Sequence, residues 1–430
     1  MSEHMNGASP HPLPRTREAA LALDHDDPLA RSRSLFELPA GLIYLDGNSL
    51  GALPRATTAR LQQMACAEWG RHLVGAWNDA GWVNLPHRIA DKICQLVGAQ
   101  PGELVVTDST SINTYKVLHA ALGLARRDRP RQRVIISERD NFPTDLYIAH
   151  AVAEAHGCVL VLAEAPEQIP DLLERGDAAV LLLTHVNYRT GRMHDMAALN
   201  RLAQRHQTFT VWDLAHSAGA VPVDLNGSGS DFAVGCGYKY LNGGPGAPAF
   251  VWVHARLADR CHQPLPGWFG HMDPFAFSPA YQPAAGSRRF LCGTPPLLSM
   301  AALECGVDTL LAAGDFTALR QKSIALTSLF IDEVERRCAG HGLTLVTPRD
   351  PAARGSQVCF SHPEGGYPIM QALIARGVVG DFRAPGILRF GFAPLYTRYT
   401  DAWDAAAELA DVLATNAWRD ARYARRGAVT

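Results

Sequence analysis

Asp213 and Lys239 lead the residues that could do chemistry together. Asp213 directly follows the apolar run Phe209-Thr210-Val211-Trp212, in the stretch WDLAHSAG. Lys239 lies 26 residues further on, in the glycine-rich stretch GCGYKYLNGG, where the backbone can turn sharply and approach a ligand closely. A lysine there can form a Schiff base with an aldehyde cofactor, and an acid at a strand end can hold a pyridine nitrogen protonated. Taken alone, the two could also be a turn cap and an exposed loop lysine. A second group is TDSTSIN, where Thr107, Asp108, Ser109, Thr110 and Ser111 precede a helical pattern. Hydroxyls and backbone N–H groups at a helix start suit a phosphate, although one of them suffices for ordinary capping. In NFPTD, Phe142 could stack on an aromatic ring and Asp145 could hydrogen-bond to it; Pro143 starting a helix is the plainer reading. His216 stands three residues after Asp213, but no further ligand has a fitting spacing, so no metal site is expected.

These residues need a frame that gathers strand ends. Short apolar runs at 104–106, 134–136, 159–162, 179–183 and 209–212 alternate with helical patterns at about 112–125, 144–156 and 195–206. That alternation predicts βαβ units and a mostly parallel sheet covered on both faces, with ligands bound beyond the carboxyl ends of the strands. Residues 262–296 read as a proline-rich loop, and one long helical pattern covers about 297–338. Strand patterns at 343–346, 357–360 and 387–390, mixed with helices, predict a smaller α+β domain. The first 20 or so residues, polar and proline-bearing, read as a mobile arm. No internal repeat is visible.

Composition limits the function. The chain has 430 residues with 40 Lys+Arg against 42 Asp+Glu and is 47% hydrophobic. That is ample for a core and unlike a disordered chain. Without a global basic excess, a nucleic-acid partner is not expected. The basic stretch 126–133 reads as a solvated connection. No run approaches a membrane span and the N-terminus is not a secretory signal, so a cytoplasmic enzyme with no membrane partner is expected. Nine scattered cysteines without a C-x-x-C pair are neither a zinc pattern nor a disulfide framework.

The parts together resemble pyridoxal-phosphate enzymes of the aspartate-aminotransferase fold (fold type I), in the class V branch. LDGNSLG (45–51), FPTD (142–145), DLAHSAG (213–219), YKYLNGGPG (238–246), GWFGH (267–271) and GTPPLLS (293–299) resemble the kynureninase family over about residues 42–400. The resemblance implies an α/β large domain over 71–295 with a seven-stranded-type, mostly parallel sheet. It also implies an N-terminal arm and part of the small domain over 1–70, and a C-terminal small domain over 296–430.

It further implies pyridoxal 5'-phosphate as cofactor, bound covalently by Lys239. Asp213, helped by Asp145, would pair with the ring nitrogen, and Phe142 would stack on the ring. Thr110, Ser111 and Tyr238 would take the phosphate, and Thr184 and His216 would complete the pocket. Trp268 and Thr294 would arrive from the second subunit of a homodimer. Arg389 would hold the substrate carboxylate in a bidentate fork, with Ser49, Trp77 and a second candidate, His72, near the substrate side chain. Tyr238 would shuttle protons beside Lys239.

The implied reaction is hydrolytic cleavage of the Cβ–Cγ bond of L-kynurenine to anthranilate and L-alanine, in tryptophan catabolism or toward NAD biosynthesis. Relatives that favour the 3-hydroxylated substrate tend to carry Ser-Asn where this chain has Gly293-Thr294, which implies a preference for plain kynurenine. The alternatives are a cysteine desulfurase or aminotransferase of the same branch. A desulfurase needs a reactive cysteine facing the cofactor, and the apolar-flanked Cys359 suits that poorly. A non-catalytic cofactor sensor would bring a basic DNA-binding module of its own, and none is expected before residue 42.

Overall fold

The computed structural model describes residues 13–314 and 316–427. Its frame is a seven-stranded sheet made of β1 (Leu104–Val106), β2 (Val134–Glu138), β3 (Val159–Ala163), β4 (Ala178–Thr184), β5 (Phe209–Asp213), β6 (Phe232–Gly235) and β7 (Phe250–Val253). The order is β1-β7-β6-β5-β4-β2-β3. Only β7 runs antiparallel to its neighbours.

Strand period decides the two cores. Val105, Ile135, Val180, Leu182 and Val211 share one cluster, while Leu104, Ile136, Leu181, Leu183 and Trp212 share another. Successive residues point to opposite faces, so each face has its own apolar layer. The helix Thr110–Asp128 (α1) covers the first and the helix Leu297–Ala312 (α2) the second. Since β1, β2, β4 and β5 all run the same way, the segments after Val106, Glu138, Thr184 and Asp213 emerge at one sheet edge.

A third core belongs to the small domain, an antiparallel sheet of β8 (Thr344–Leu345), β9 (Gln357–Ser361), β10 (Asp381–Arg383) and β11 (Ile387–Gly391) in the order β8-β9-β11-β10. The helices α3 (Phe316–Arg337) and Gly366–Ala375 pack on it, and α4 (Tyr399–Ala414) packs against both of them. Both chain ends contribute, since Ile43–Tyr44 pairs with Val378–Val379.

Four sequence expectations change. The N-terminal arm is not wholly irregular. Residues 1–12 lie outside the described residues, but Arg17–Asp26 is a helix capped by Thr16. Arg17 grips Asp404 with two bonds of 2.8 Å, and Asp24 accepts from the start of α4. The long helical pattern after residue 296 is two helices, with Gly314 at φ +71° closing the first. α2 then packs with the large sheet through Met300, Leu303, Val307 and Leu310. The strand β6 was not foreseen because it is four residues ending in glycine. A Cβ on Gly235 would stand 2.4 Å from the Phe250 ring, so the packing itself requires the glycine. The three-residue β10 carries two charges and shows no strand pattern.

Candidate active site

Thr110, Ser111, Phe142, Asp145, Thr184, Asp213, His216, Tyr238 and Lys239 line one cavity at the carboxyl edge of the sheet. Residues from the ends of β1, β2, β4 and β5 meet there, as the shared strand direction requires. Thr184 and Asp213 end adjacent strands as Cα partners.

The chain contains four lysines, Lys92, Lys116, Lys239 and Lys322. Lys92 pairs with Glu304 and Asp308 at 2.9 and 2.7 Å. Lys116 is buried on Asp108 and the Phe290 carbonyl, at 2.5 and 2.6 Å. Lys322 is buried on Asp27 and the Pro394 carbonyl, both at 2.6 Å. Among the described residues Lys239 has no carboxylate within ion-pair distance; its Nζ lies 3.0 Å from His216 Nε2. It alone can offer an amine to a cavity ligand.

At one end of the cavity the N-terminus of α1 presents the hydroxyl residues. Ser109 caps the helix by accepting from the Ile112 N–H, and Thr110 Oγ1 is buried without a partner. Asp108 holds the turn at φ +46°. It accepts from Thr107 Oγ1 at 2.8 Å and from Lys116. This Asp108–Lys116 brace has no sequence signature beyond its eight-residue spacing.

In the same lining Asp145 lies against Asp213. Burial first, and then Asp213, push the Asp145 carboxyl well above the usual range. Burial also raises Asp213, but Lys239, the Ala215 N–H and Asp145 oppose the shift. The pair therefore holds one proton on Asp145, which donates to an ionised Asp213. Asp145 Oδ2 is nonetheless buried with no donor among the described residues. Asp213 Oδ1 accepts from the Ala215 N–H at 2.8 Å. Thr184 donates to Asn141, which fixes the turn before Phe142. Phe142 is 40% exposed, edge-on to Tyr188 and 6.0 Å from Lys239 Nζ. Tyr238, raised by burial and then by Cys236 and Asp213, sets its ring 5.7 Å from the same amine.

Two polar groups without a partner among the described residues, Thr110 Oγ1 and Asp145 Oδ2, thus belong to residues that line one cavity together with the Lys239 amine. A helix start with spare hydroxyls fits a phosphate. A buried acid pair fits a protonated ring nitrogen. The residues present fit pyridoxal phosphate.

Beside the cavity, Ser49 and Arg389 are in contact, Nη2 donating to Ser49 Oγ at 2.7 Å. Arg389 is not an open fork, however. Its Nε and Nη2 bind Asp381, which sequence reasoning missed, and its Nη1 donates to the Tyr188 carbonyl at 2.8 Å. The remaining candidates are not among the residues that line the Lys239 cavity. Trp77 and Trp268 both pack on Phe269, at 6.1 and 5.0 Å between centroids. His72 bonds Asp79 on the surface. Thr294 lines an adjoining groove with Ser109 and Tyr238. Cys359 is fully buried and pushed up to about 12 by burial, the opposite of what a nucleophilic thiolate needs.

This fold and site define a pyridoxal-phosphate enzyme of fold type I, in its class V branch. The cystine C–S lyase C-DES, solved with glycine covalently linked to its PLP cofactor, superposes with a TM-score of 0.78 at 18% identity. The match covers 88% of this chain and 99% of that one. The kynureninase of Burkholderia pseudomallei is 56% identical over 418 residues, 97% of this chain and all of the relative. That of Pseudomonas fluorescens is 54% identical over 417 residues, 96% of this chain and all of the relative. The family model of the kynureninase C-terminal domain matches residues 319–409. The chain belongs to the kynureninase family.

Proposed function

We propose that the Lys239 cavity is where this kynureninase-family chain hydrolyses the Cβ–Cγ bond of L-kynurenine to anthranilate and L-alanine. The observation that carries the reading is a lysine without a carboxylate within ion-pair distance among the described residues, sharing one cavity lining with a buried acid pair and a hydroxyl-bearing helix start. Pyridoxal phosphate, when bound, supplies an electron sink for the substrate carbons. The chain supplies the rest. Lys239 holds the cofactor and then moves the Cα proton at Nζ. Asp213 stays ionised toward the ring nitrogen because Asp145 keeps the shared proton. Thr110 and Ser111 bind the phosphate. Tyr238, whose raised phenol remains protonated at neutral pH, donates from its oxygen to the substrate carbonyl region. Arg389 binds the substrate carboxylate, and Ser49 yields its place on the guanidinium.

A homodimer with shared sites is part of the reading. Trp69, Leu73, Val74, Phe277 and Leu298 are all more than 40% exposed, and an apolar groove runs between Met64, Trp69, Trp82 and Leu298. So much exposed apolar surface fits an interface. Trp268 and Thr294, outside the lining of their own chain's Lys239 cavity, suit the second subunit's site. Gly293-Thr294 offers no amide for a 3-hydroxyl, which favours plain kynurenine. The pathway context would be tryptophan catabolism in the cytoplasm. The test is the fluorescence of anthranilate released from L-kynurenine, against that of 3-hydroxyanthranilate released from 3-hydroxykynurenine, on adding each to the yellow holoprotein. Equal catalytic efficiency on both would remove the preference, and no anthranilate would remove the assignment of the site.

A further inference from the structure

We propose that Gln357, on the small-domain strand β9, is a positioning residue for Lys239: it fixes His216 in the Nδ1–H tautomer, so that Nε2 offers its lone pair to the lysine amine. The proposal rests on reading Lys239 as the reactive amine.

The orientation of the Gln357 amide is set by its surroundings. Its Nε2 lies 3.2 Å from the Asn187 carbonyl and 3.1 Å from the Tyr188 carbonyl. Carbonyls only accept, so the nitrogen must face them and Oε1 must face the other way. Oε1 stands 2.8 Å from His216 Nδ1 and also accepts from Asn48 Nδ2 at 3.4 Å. An amide oxygen can only accept, so the imidazole proton sits on Nδ1. The opposite ring nitrogen is then bare, and Lys239 Nζ lies 3.0 Å from it. The bond at one ring nitrogen thereby dictates what the other can do.

The imidazole is held neutral as well. His216 is buried, and its charged neighbours Lys239, Arg389 and Arg383 are all cationic, which lowers its basicity well below the usual value. A charged ring would turn Nε2 into a donor aimed at an amine. Without Gln357, the alternative Nε2–H tautomer would do the same. Gln357 and His216 are both almost wholly inaccessible, so water does not readily replace the lost acceptor. The relay also joins two domains, because β9 belongs to the small sheet while His216 and Lys239 belong to the large one.

The test compares the holoenzyme with its Gln357→Met and Gln357→Glu variants. Methionine preserves volume without an acceptor, and glutamate keeps the acceptor. Ring-nitrogen NMR of histidine-labelled protein, assigned with His216→Gln, reads the tautomer. Expected are Nδ1–H in the wild type, Nε2–H or a mixture in Gln357→Met, and Nδ1–H retained in Gln357→Glu. In Gln357→Met, kcat falls about tenfold, the loss of roughly one hydrogen bond, while KM stays within about twofold. A wild-type ring protonated at Nε2 overturns the proposal, and so does a Gln357→Met variant whose tautomer is unchanged, whatever its rate. The wild-type spectrum decides even if a variant fails to fold. Borohydride labelling of the same samples separates the two claims. A label away from Lys239 removes the reading of the lysine and the proposal with it. A label on Lys239 beside the wrong tautomer removes only the proposal.

Discussion

Arg389 and Asp381 are Cα partners on adjacent antiparallel strands, and their side chains join side-on, Nε to Oδ1 at 2.7 Å and Nη2 to Oδ2. A guanidinium bound along its Nε–Nη2 side keeps its Nη1–Nη2 edge for a second planar anion. Ser49 Oγ now sits on that edge, accepting from Nη2 and donating to Asp381 at 2.7 Å. The pairing therefore aims the arginine, and a substrate carboxylate would have to displace both Ser49 on Nη2 and the Tyr188 carbonyl on Nη1.

Asp381→Ala should raise KM for L-kynurenine more than it lowers kcat. It should also destabilise the protein by about 3–5 kcal/mol, since it leaves a buried cation unpaired. Burial raises the Asp381 carboxyl, but Arg389 and then Arg383 and Ser49 outweigh it, so the folded-state value is depressed. A depressed acid stabilises above the unfolded value near 4, and that contribution is lost as pH falls through the folded value. Denaturant titrations at pH 7 and pH 3 should show the wild type converging on the variant at the lower pH.

Arg389→Lys keeps the charge and loses the fork. Bidentate, charge-assisted bonding is worth about 1.5–3 kcal/mol, so KM should rise about 10- to 100-fold in steady-state assays with L-kynurenine. A KM within twofold of wild type would return the carboxylate to another residue.

Asp145→Asn should act in opposite directions on activity and stability. The Asp145 carboxyl is raised in the folded state, so the folded chain binds more protons than the unfolded one above about pH 4. Stability is then lost as pH rises toward the folded value. Asparagine has no such titration. The cofactor-free variant should melt about 1–3 °C above the wild type at pH 8 and show little difference at pH 4. The holoenzyme should lose about tenfold in kcat, as the acid pair no longer shares a proton.

Shared sites predict complementation. Lys239→Ala and Trp268→Ala should each be nearly inactive alone. Random exchange of the two variants makes half the dimers mixed, each with one intact site, and activity should return to about a quarter of wild type in a symmetric dimer. Mixtures with no more activity than their parts would place Trp268 in its own chain's site or in neither.

Much of this was legible in the sequence for identifiable reasons. Asp213 and Thr184 end continuous apolar runs, so strand direction alone brings them to one edge. Thr110 and Ser111 open a helix whose start the hydroxyls mark. Contacts that depend on register left no trace. Nothing in the order of residues says that Asp381 faces Arg389 across a turn, or that Gln357, on a buried strand of another domain, faces His216. The aromatic set Trp77, Phe269 and Trp268 likewise assembles from segments that carry no common period. Helix α2 reads as continuous with α3, although Gly314 closes the first and packing against the large sheet sets it apart.

The central claim is that Lys239 carries the cofactor. Borohydride reduction of the holoprotein, followed by digestion and peptide mass spectrometry, tests it most directly. The account predicts a single pyridoxyl-lysine at Lys239, with Lys92, Lys116 and Lys322 unmodified. A label on any of those three, or a bleached protein with no labelled lysine, would contradict it.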